Sequence, residues 1–360
     1  MKKRADGRYC KQMVIGYTDE GKKIIKSFYG KTIKEIEKQA TEAKQKLESG
    51  IMLCASDNIT MAEWAEIWLN TYKLSVAYNT RVMYSNAIYV HIVPVIGTLP
   101  LSKIKPVQIQ MLLNNILKSG QERTAQIVKQ TLEQLFRQAV YEGYIVRDVT
   151  QGISSIPRKK NEKRTLTPTE LQGIETASLT YKEKLFIDVM RYCGLRRGET
   201  LALNTSDIDI TGRKLSVSKN LYFEDNSAKI KDPKTKAGRR VIPIIEPLYT
   251  ELTQYISEMN GAILFPMSNG EYMTKSSYKK FWKGIIKKIS VAVGKPVDFT
   301  AHICRHTYAT NLYCSKIDIK TAQYLLGHSN LTMTLEVYTH IDEEHIQNEI
   351  EKLSKFVMAQ

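Results

Sequence analysis

The stretch that most constrains this chain runs from Thr300 to His340. It holds four of the six histidines of a 360-residue sequence, at 302, 306, 328 and 340, and places Arg305 among the first two. Thr300 has the chemistry of a helix N-cap, so a helix is expected from Ala301 onward, with residues three and four apart sharing a face. His302, Arg305 and His306 are therefore expected to project together. The i, i+4 pair His302 and His306 has the spacing of a zinc helix. However, Ile303 stands where a metalloprotease carries glutamate, and Arg305 would repel a cation, so no metal site is expected. Arginine and histidine without carboxylates suit an anion, because a guanidinium grips phosphate oxygens through two parallel N–H donors and an imidazole adds a further one. The implied ligand is a phosphate.

A formal net charge of +16 agrees with that reading, since so basic a chain attracts a polyanion before any specific contact forms. The length suggests two or three domains, and 42% apolar residues supply real cores. Five cysteines, at 10, 54, 193, 304 and 314, are scattered and lack a C-x-x-C pair, which argues against a disulfide framework or zinc ribbon and for a reducing compartment. Nothing reads as a signal peptide, and no apolar run approaches the roughly 18 residues that span a bilayer.

In chain order, Tyr9 to Tyr17 and Lys23 to Tyr29 are β-favouring runs around the turn signal Asp19-Glu20-Gly21, which predicts a hairpin. Thr32 and Glu35 form a capping box ahead of an apolar stripe, Ile33, Ile36, Ala40, Ala43 and Leu47, which predicts a helix packed on that hairpin. The first fifty residues carry 13 Lys and Arg against 7 Asp and Glu. Basic side chains interleaved with aromatics on a small sheet suit a DNA groove, and on composition alone also suit a solubilising surface. Gly50 to Asn58 reads as a connector.

A second capping box, Thr60 and Glu63, opens a helix through Trp64, Ile67 and Trp68. Three further helical patterns follow: Tyr78 to about Ile92, closed by Pro94 and Gly97; Pro106 to Lys118; and Glu122 to Glu142, closed by Gly143. His91 is read as structural. From Gln151 to Thr165 the periodicity gives way to a linker with Arg158, Lys159, Lys160, Lys163 and Arg164, expected to lie along phosphates.

Capping boxes recur at Thr167 and Glu170, with Pro168 as the first helical residue, and at Thr180 and Glu183, whose helix ends at Cys193-Gly194. Lys214 to Val217 and Arg240 to Ile244 read as strands flanking a basic segment, Lys229 to Lys236. Lys275 to Lys288 holds six lysines and no acid, with Tyr278, Phe281, Trp282 and Ile286 at helical spacing. One wet and one buried face are expected, with the aromatics in the core rather than stacked on bases. Ile346, Ile350, Leu353 and Val357 form a narrow apolar stripe, to be buried on its own domain or on a neighbouring subunit. These elements describe an α+β chain, mostly helical.

The motif His302-x-x-Arg305-His306-Thr, then Leu326-Gly-His328, then Tyr338 ten residues on followed by Thr339-His340, resembles the tyrosine recombinase (phage integrase) family. Leu195-Arg196-Arg197-Gly198-Glu199 resembles the family's first arginine motif. The resemblance covers most of residues 59 to 360 and is weaker over the first fifty. It implies three domains: 1–50, an arm-type DNA-binding module like those of some phage and conjugative-transposon integrases; 59–150, a helical core-binding bundle that Tyr89 to Gly97 resembles; and 165–360, a mixed catalytic domain of the DNA breaking-rejoining type.

It also implies a catalytic set of Arg196, Lys234, His302, Arg305, His328 and Tyr338. Glu199 would orient Arg196, whereas Arg197 reads as a surface charge. Lys234, followed by Thr235, resembles the family's Lys-Thr pair, with Lys231 and Lys236 near enough to remain open. Tyr308, Tyr313 and Tyr324 share the region, and helical periodicity does not separate them from Tyr338; that choice rests on the resemblance. His340 would be local support.

The chemistry the family implies is physically economical. A phenol with a reference pKa of about 10 is a weak nucleophile, so attack on a phosphodiester needs a proton acceptor and stabilisation of developing negative charge. Arg196 and Arg305 would clamp the non-bridging oxygens and His302 would share the tyrosine proton. His328 would hydrogen-bond the phosphate and Lys234 would protonate the leaving 5′ hydroxyl. Tyr338 would become a 3′-phosphotyrosine, with no metal or other cofactor. The expected partners are double-stranded DNA at core and arm sites, further copies in a homotetramer on synapsed DNA, and an excisionase or host DNA-bending protein. The expected location is the cytoplasm, on the nucleoid. Two other classes use related parts: a type IB topoisomerase, against which the arm-like module argues, and a non-catalytic DNA-binding relative, against which the complete residue set argues.

Overall fold

The computed structural model describes Lys3, residues 6–17, 23–48, 59–156, 164–233 and 235–338, and Ile350. The hairpin turn at Asp19, the connector from Gly50 to Asn58, linker residues Arg158, Lys159, Lys160 and Lys163, Lys234, His340, and all of the C-terminal stripe except Ile350 lie outside the described residues. The chain divides into two compact units, Met1–Lys160 and Asn161–Gln360.

In the first unit, β1 (Tyr9–Tyr17) and β2 (Lys23–Gly30) pair antiparallel, with a register break between Val14 and Gly16. Helix α1 (Ile33–Glu48) lays Ile36, Ala40 and Ala43 on Phe28. Thr32 Oγ1 accepts the Glu35 N–H at 3.2 Å, and the Glu35 carboxylate accepts the Lys31 N–H at 3.0 Å. Ile33, expected in the buried stripe, is exposed. Among the described side chains the two-stranded sheet offers Phe28 with Tyr9 and Met13 as apolar cover, which does not reach the first turn.

The helical part of this unit begins with α2 (Met61–Thr71), opened by the Thr60–Glu63 capping box. Trp64 and Trp68 are buried, and the Trp64 indole N–H donates to the Leu135 carbonyl at 3.0 Å, while Ile67 is exposed. Helix α3 (Tyr78–Asn86) continues through a π-helical turn, Ala87–Ile92, into α4 (Val93–Ile96). Pro94 therefore does not close this helix. Proline lacks an N–H and its ring collides with the carbonyl four residues back. The wider turn, in which the Val93 N–H reaches back five residues to the Ile88 carbonyl, absorbs both defects, and the chain stops at Gly97. Helices α5 (Pro106–Lys118) and α6 (Glu122–Tyr141) complete the bundle, whose core is aliphatic and aromatic throughout.

The second unit starts with α7 (Pro168–Thr176) and α8 (Tyr181–Cys193), each opened by the expected capping box. Leu185, Phe186, Ile187, Val189, Met190 and Cys193 are fully buried, so α8 is covered on all sides and is the axis of the unit. After it come α9 (Arg197–Leu201) and five strands: β3 (Ile208–Asp209), β4 (Lys214–Val217), β5 (Asn220–Glu224), β6 (Ser227–Lys231) and β7 (Arg240–Pro243). Strands β3, β4 and β7 form an antiparallel sheet in that order. Between the two expected strands the chain forms a further hairpin, β5–β6, turned at Asp225 with φ 51°, whose second strand runs into the basic segment at Lys229–Lys231.

Helices α10 (Glu246–Ser257), α11 (Lys275–Val293), α12 (Ala301–Cys314), α13 (Ile319–Leu326) and α14 (Leu331–Tyr338) complete the unit. On α11, Tyr278, Ile285 and Ile289 are buried, and the Trp282 indole donates to the Phe299 carbonyl at 3.3 Å, so its aromatics belong to the core. Arg164, expected along DNA phosphates, instead donates both guanidinium arms to Glu170, at 2.7 and 2.9 Å, and one of them also to the Asp298 carbonyl. A carboxylate fixed at a helix N-terminus is a closer partner than a diffuse polyanion. Among the described residues no helix is long and apolar enough to cross a membrane.

Candidate active site

Three helices of the second unit end on left-handed glycines, α8, α11 and α13, and the site is built on the first and last of those ends. Gly194 closes α8 with φ 62°, and a Cβ there would fall 2.2 Å from the Tyr308 ring. Gly327 closes α13 with φ 61°, and the His328 N–H then reaches back to the Gln323 carbonyl at 3.1 Å. That six-residue loop is a Schellman closure, and it sets the direction of His328. Carbonyls at helix C-termini carry the negative end of the macrodipole and lack intrahelical donors, so they attract guanidiniums. Arg305, on α12, donates to the Gly194 carbonyl at 2.6 Å and to the Leu326 carbonyl. Arg196 donates to the Gly327 carbonyl at 3.3 Å.

Glu199 lies at the centre. As the third residue of α9 its carboxylate caps the Arg196 N–H at 2.9 Å and also accepts from the Arg196 guanidinium at 2.9 Å. On its other side it accepts from Arg240 of β7 at 2.9 Å, and Arg305 Nη1 lies 4.0 Å away. Burial alone would raise this carboxyl, but the Arg240 and Arg196 charges hold it below the usual carboxylate range. Three guanidiniums thus surround one carboxylate. Burial, reinforced by the Arg196 charge, pushes the Arg305 guanidinium down to about 9, still cationic at neutral pH. Arg240 and Arg305 are buried, whereas the Arg196 side chain is 36% exposed, so the surplus positive charge has one outlet to solvent. Such a set can take an oxyanion in the place a second carboxylate would occupy.

The expected residues are distributed as follows. Arg196 and Arg305 come together through Glu199. His328 is buried and its Nδ1 meets the Thr334 hydroxyl at 3.0 Å, which ties the α13 turn to α14. Tyr338 is the last residue of that same short helix. On α12, His302 is exposed and its ring meets His306 edge-on, centroids 4.5 Å apart, while Arg305 turns inward, so the three do not share one environment. Lys234 lies outside the described residues. Arg197 is exposed and lies over the Tyr278 and Phe223 rings. Tyr308 packs on Gly194 with burial raising its phenol pKa, and the Tyr324 hydroxyl accepts the Val241 N–H at 3.1 Å; both are engaged in the fold.

Sequence reasoning missed Arg240 and Thr334. For Arg240 a signal exists: strand alternation puts it on the same face as Ile242, which is buried, so an arginine there must be paired inside.

Comparison with known proteins places the chain in a family. The family model described as "Phage integrase family" matches residues 161–345, and "Phage integrase, N-terminal SAM-like domain" matches residues 60–117. A tyrosine recombinase XerC-like protein of Caldanaerobacter subterraneus subsp. tengcongensis is 29% identical, over 96% of this chain and 95% of its own. The transposase from transposon Tn916 of Enterococcus faecalis is 30% identical over 50% of this chain and 47% of its own. Among solved structures, a Tn1549 transposon integrase in complex with a circular intermediate DNA superposes with a TM-score of 0.71 at 25% identity, covering 82% of this chain and 99% of that one. A lambda integrase dimer bound to a core site shares the fold, with a TM-score of 0.65 at 21% identity over 94% and 95% of the two chains. The chain belongs to the phage integrase family of tyrosine recombinases, and its activity is site-specific DNA recombination.

Proposed function

We propose that this recombinase integrates and excises a mobile element, cutting each strand through Tyr338 and holding it as a 3′-phosphotyrosine. The observation that carries the assignment of roles is the surplus of guanidiniums over carboxylates at Arg196, Arg240, Arg305 and Glu199. Arg196 and Arg305 take the two non-bridging oxygens of the scissile phosphate and balance the charge that grows in the transition state. Tyr338 attacks phosphorus and His302 shares its proton. His328, steadied by Thr334, hydrogen-bonds the phosphate, and Lys234 gives a proton to the departing 5′ oxygen. The bond energy stays in the phosphotyrosine, so a 5′ hydroxyl from a second duplex reverses the step.

The mobile-element reading is supported by the Tn916 transposase and the Tn1549 integrase, the latter bound to a circular intermediate DNA. The domain reading is 1–50 for arm sites, 59–150 for one face of the core duplex and 165–360 for catalysis. Lambda integrase forms a tetramer on a Holliday junction, and a homotetramer on synapsed DNA is the assembly proposed here. An excisionase or host bending protein would set direction. The site of action is the nucleoid in the cytoplasm.

The test uses nicked duplexes spanning the ends of the encoding element, incubated with protein and chelator and resolved on a denaturing gel. A covalent adduct that maps to Tyr338, and that Tyr338→Phe loses while still binding the duplex, is the expected result. No adduct on a duplex that is bound, or one on another tyrosine, overturns the assignment. Equal relaxation of supercoiled plasmids with and without the element ends would instead mark a topoisomerase.

A further inference from the structure

One planar group meets three of the segments on which the site depends. The Arg240 guanidinium is fully buried and donates in three directions. Its Nη2 goes to Glu199 Oε2 at 2.9 Å, its Nε to the Leu325 carbonyl at 2.8 Å, and its Nη1 to the Gly238 carbonyl at 3.2 Å. Glu199 holds Arg196. Leu325 lies three residues before His328, in the last turn of α13. Gly238 lies four residues after Lys234. The turn between these parts is closed tightly around the guanidinium, since a Cβ on Gly327 would fall 2.8 Å from Arg240 Nη1 and 2.9 Å from the Ala237 carbonyl.

We propose that Arg240 is a positioning residue for strand cleavage: it fixes the relative placement of the segments bearing Arg196 and His328 and of the turn at Gly238, acting on Arg196 through Glu199. It touches no substrate, being enclosed by Glu199 and two turns of backbone, at Gly238 and at Leu325. A monodentate cation could balance the charge of Glu199. Only a rigid fork with donors at fixed angles also holds two carbonyls from different segments, which is why arginine rather than lysine belongs at this position. Sequence separation makes the device necessary. Arg240 is 41 residues from Glu199 and 85 from Leu325, so no local element could hold these parts in register. The role rests on the assignment of Arg196 and His328 proposed above.

The experiment compares wild type, Arg240→Gln, Arg240→Lys and Glu199→Gln, and the double variant Glu199→Gln with Arg240→Gln. All are studied as full chains on the nicked duplex. Single-turnover cleavage at saturating protein is normalised to the folded fraction by near-ultraviolet circular dichroism, and duplex affinity is measured separately. A displacement of about 1 Å in a catalytic group costs on the order of a hundredfold in rate, so Arg240→Gln should lose about ten- to a hundredfold in normalised cleavage with affinity changed by about threefold or less. Arg240→Lys should recover only part of the loss. In the Glu199→Gln background Arg240→Gln should add far less than it does alone. A wild-type normalised rate in the folded fraction, whatever the yield of folded protein, would show that Arg240 only stabilises the fold and would overturn the proposal. So would losses that multiply in the double variant. If wild type itself forms no adduct, the reading of the site fails rather than the role of Arg240.

Discussion

The two units bury different things. Among the described residues, the helical part of the first unit encloses aliphatic and aromatic side chains with two threonines, Thr131 and Thr150, and no buried charge. The second unit encloses Glu170, Glu183, Asp188, Arg191, Glu199, Arg240 and Arg305. Burying a charge costs several kcal/mol unless it is paired and hydrogen-bonded, so a fold keeps such groups only where pairing is complete or where chemistry uses them. A core of the first kind is held by shape and apolar area alone. A unit that breaks a phosphodiester needs charge held in a dry place.

The sharpest way to break this contrast is Arg305→Gln. It keeps approximate volume and an amide donor but removes the cation, and single-turnover cleavage should fall by about a hundred- to a thousandfold, with duplex binding nearly retained. A small loss would mean that the buried charge is structural. The opposite case is Phe136→Ala in the bundle, which should cost about 3–5 kcal/mol in urea unfolding while leaving cleavage per folded molecule unchanged.

Acidity separates two carboxylates within the second unit. Glu199, held low by its arginines, contributes stability that is present through the neutral range and is lost only as pH falls below the usual carboxylate range. Asp188 is raised to about 6, chiefly by burial and against the pull of Arg191, so its contribution has the opposite sign and is lost as pH rises through that value. Unfolding of Glu199→Gln and Asp188→Asn across pH should therefore differ from wild type with opposite slopes; parallel curves would contradict the opposite shifts of the two carboxyls. The smallest effect belongs to the bundle surface. Glu133→Gln breaks the 2.9 Å i, i+4 pair with Lys129 and should cost about 0.3–0.5 kcal/mol, vanishing in high salt.

What was legible in the sequence was what local chemistry decides. The boxes at Thr60, Thr167 and Thr180 mark helix starts because both partners lie within four residues, and Gly194 marks a helix end for the same reason. The pairing of Arg196 with Glu199 is likewise a three-residue matter. Pro94 misled because a π-turn is a property of backbone geometry that no side chain announces. Arg164 misled because one of its partners, the Asp298 carbonyl, is 134 residues away, and Arg240 went unnoticed because Glu199 and Leu325 are distant in the chain. Ile33 followed the helical period but had no surface to meet.

The bond from Arg305 to the Gly194 carbonyl spans 111 residues, and its companion to Leu326 needs chain made later still. A nascent chain emerging from the ribosome folds from its N-terminal side, so the helical bundle can be complete while the cluster of arginines around Glu199 does not yet exist. The buried charge thus assembles last in the making of each molecule, and a copy whose synthesis stops before Leu326 lacks the carbonyl that completes it.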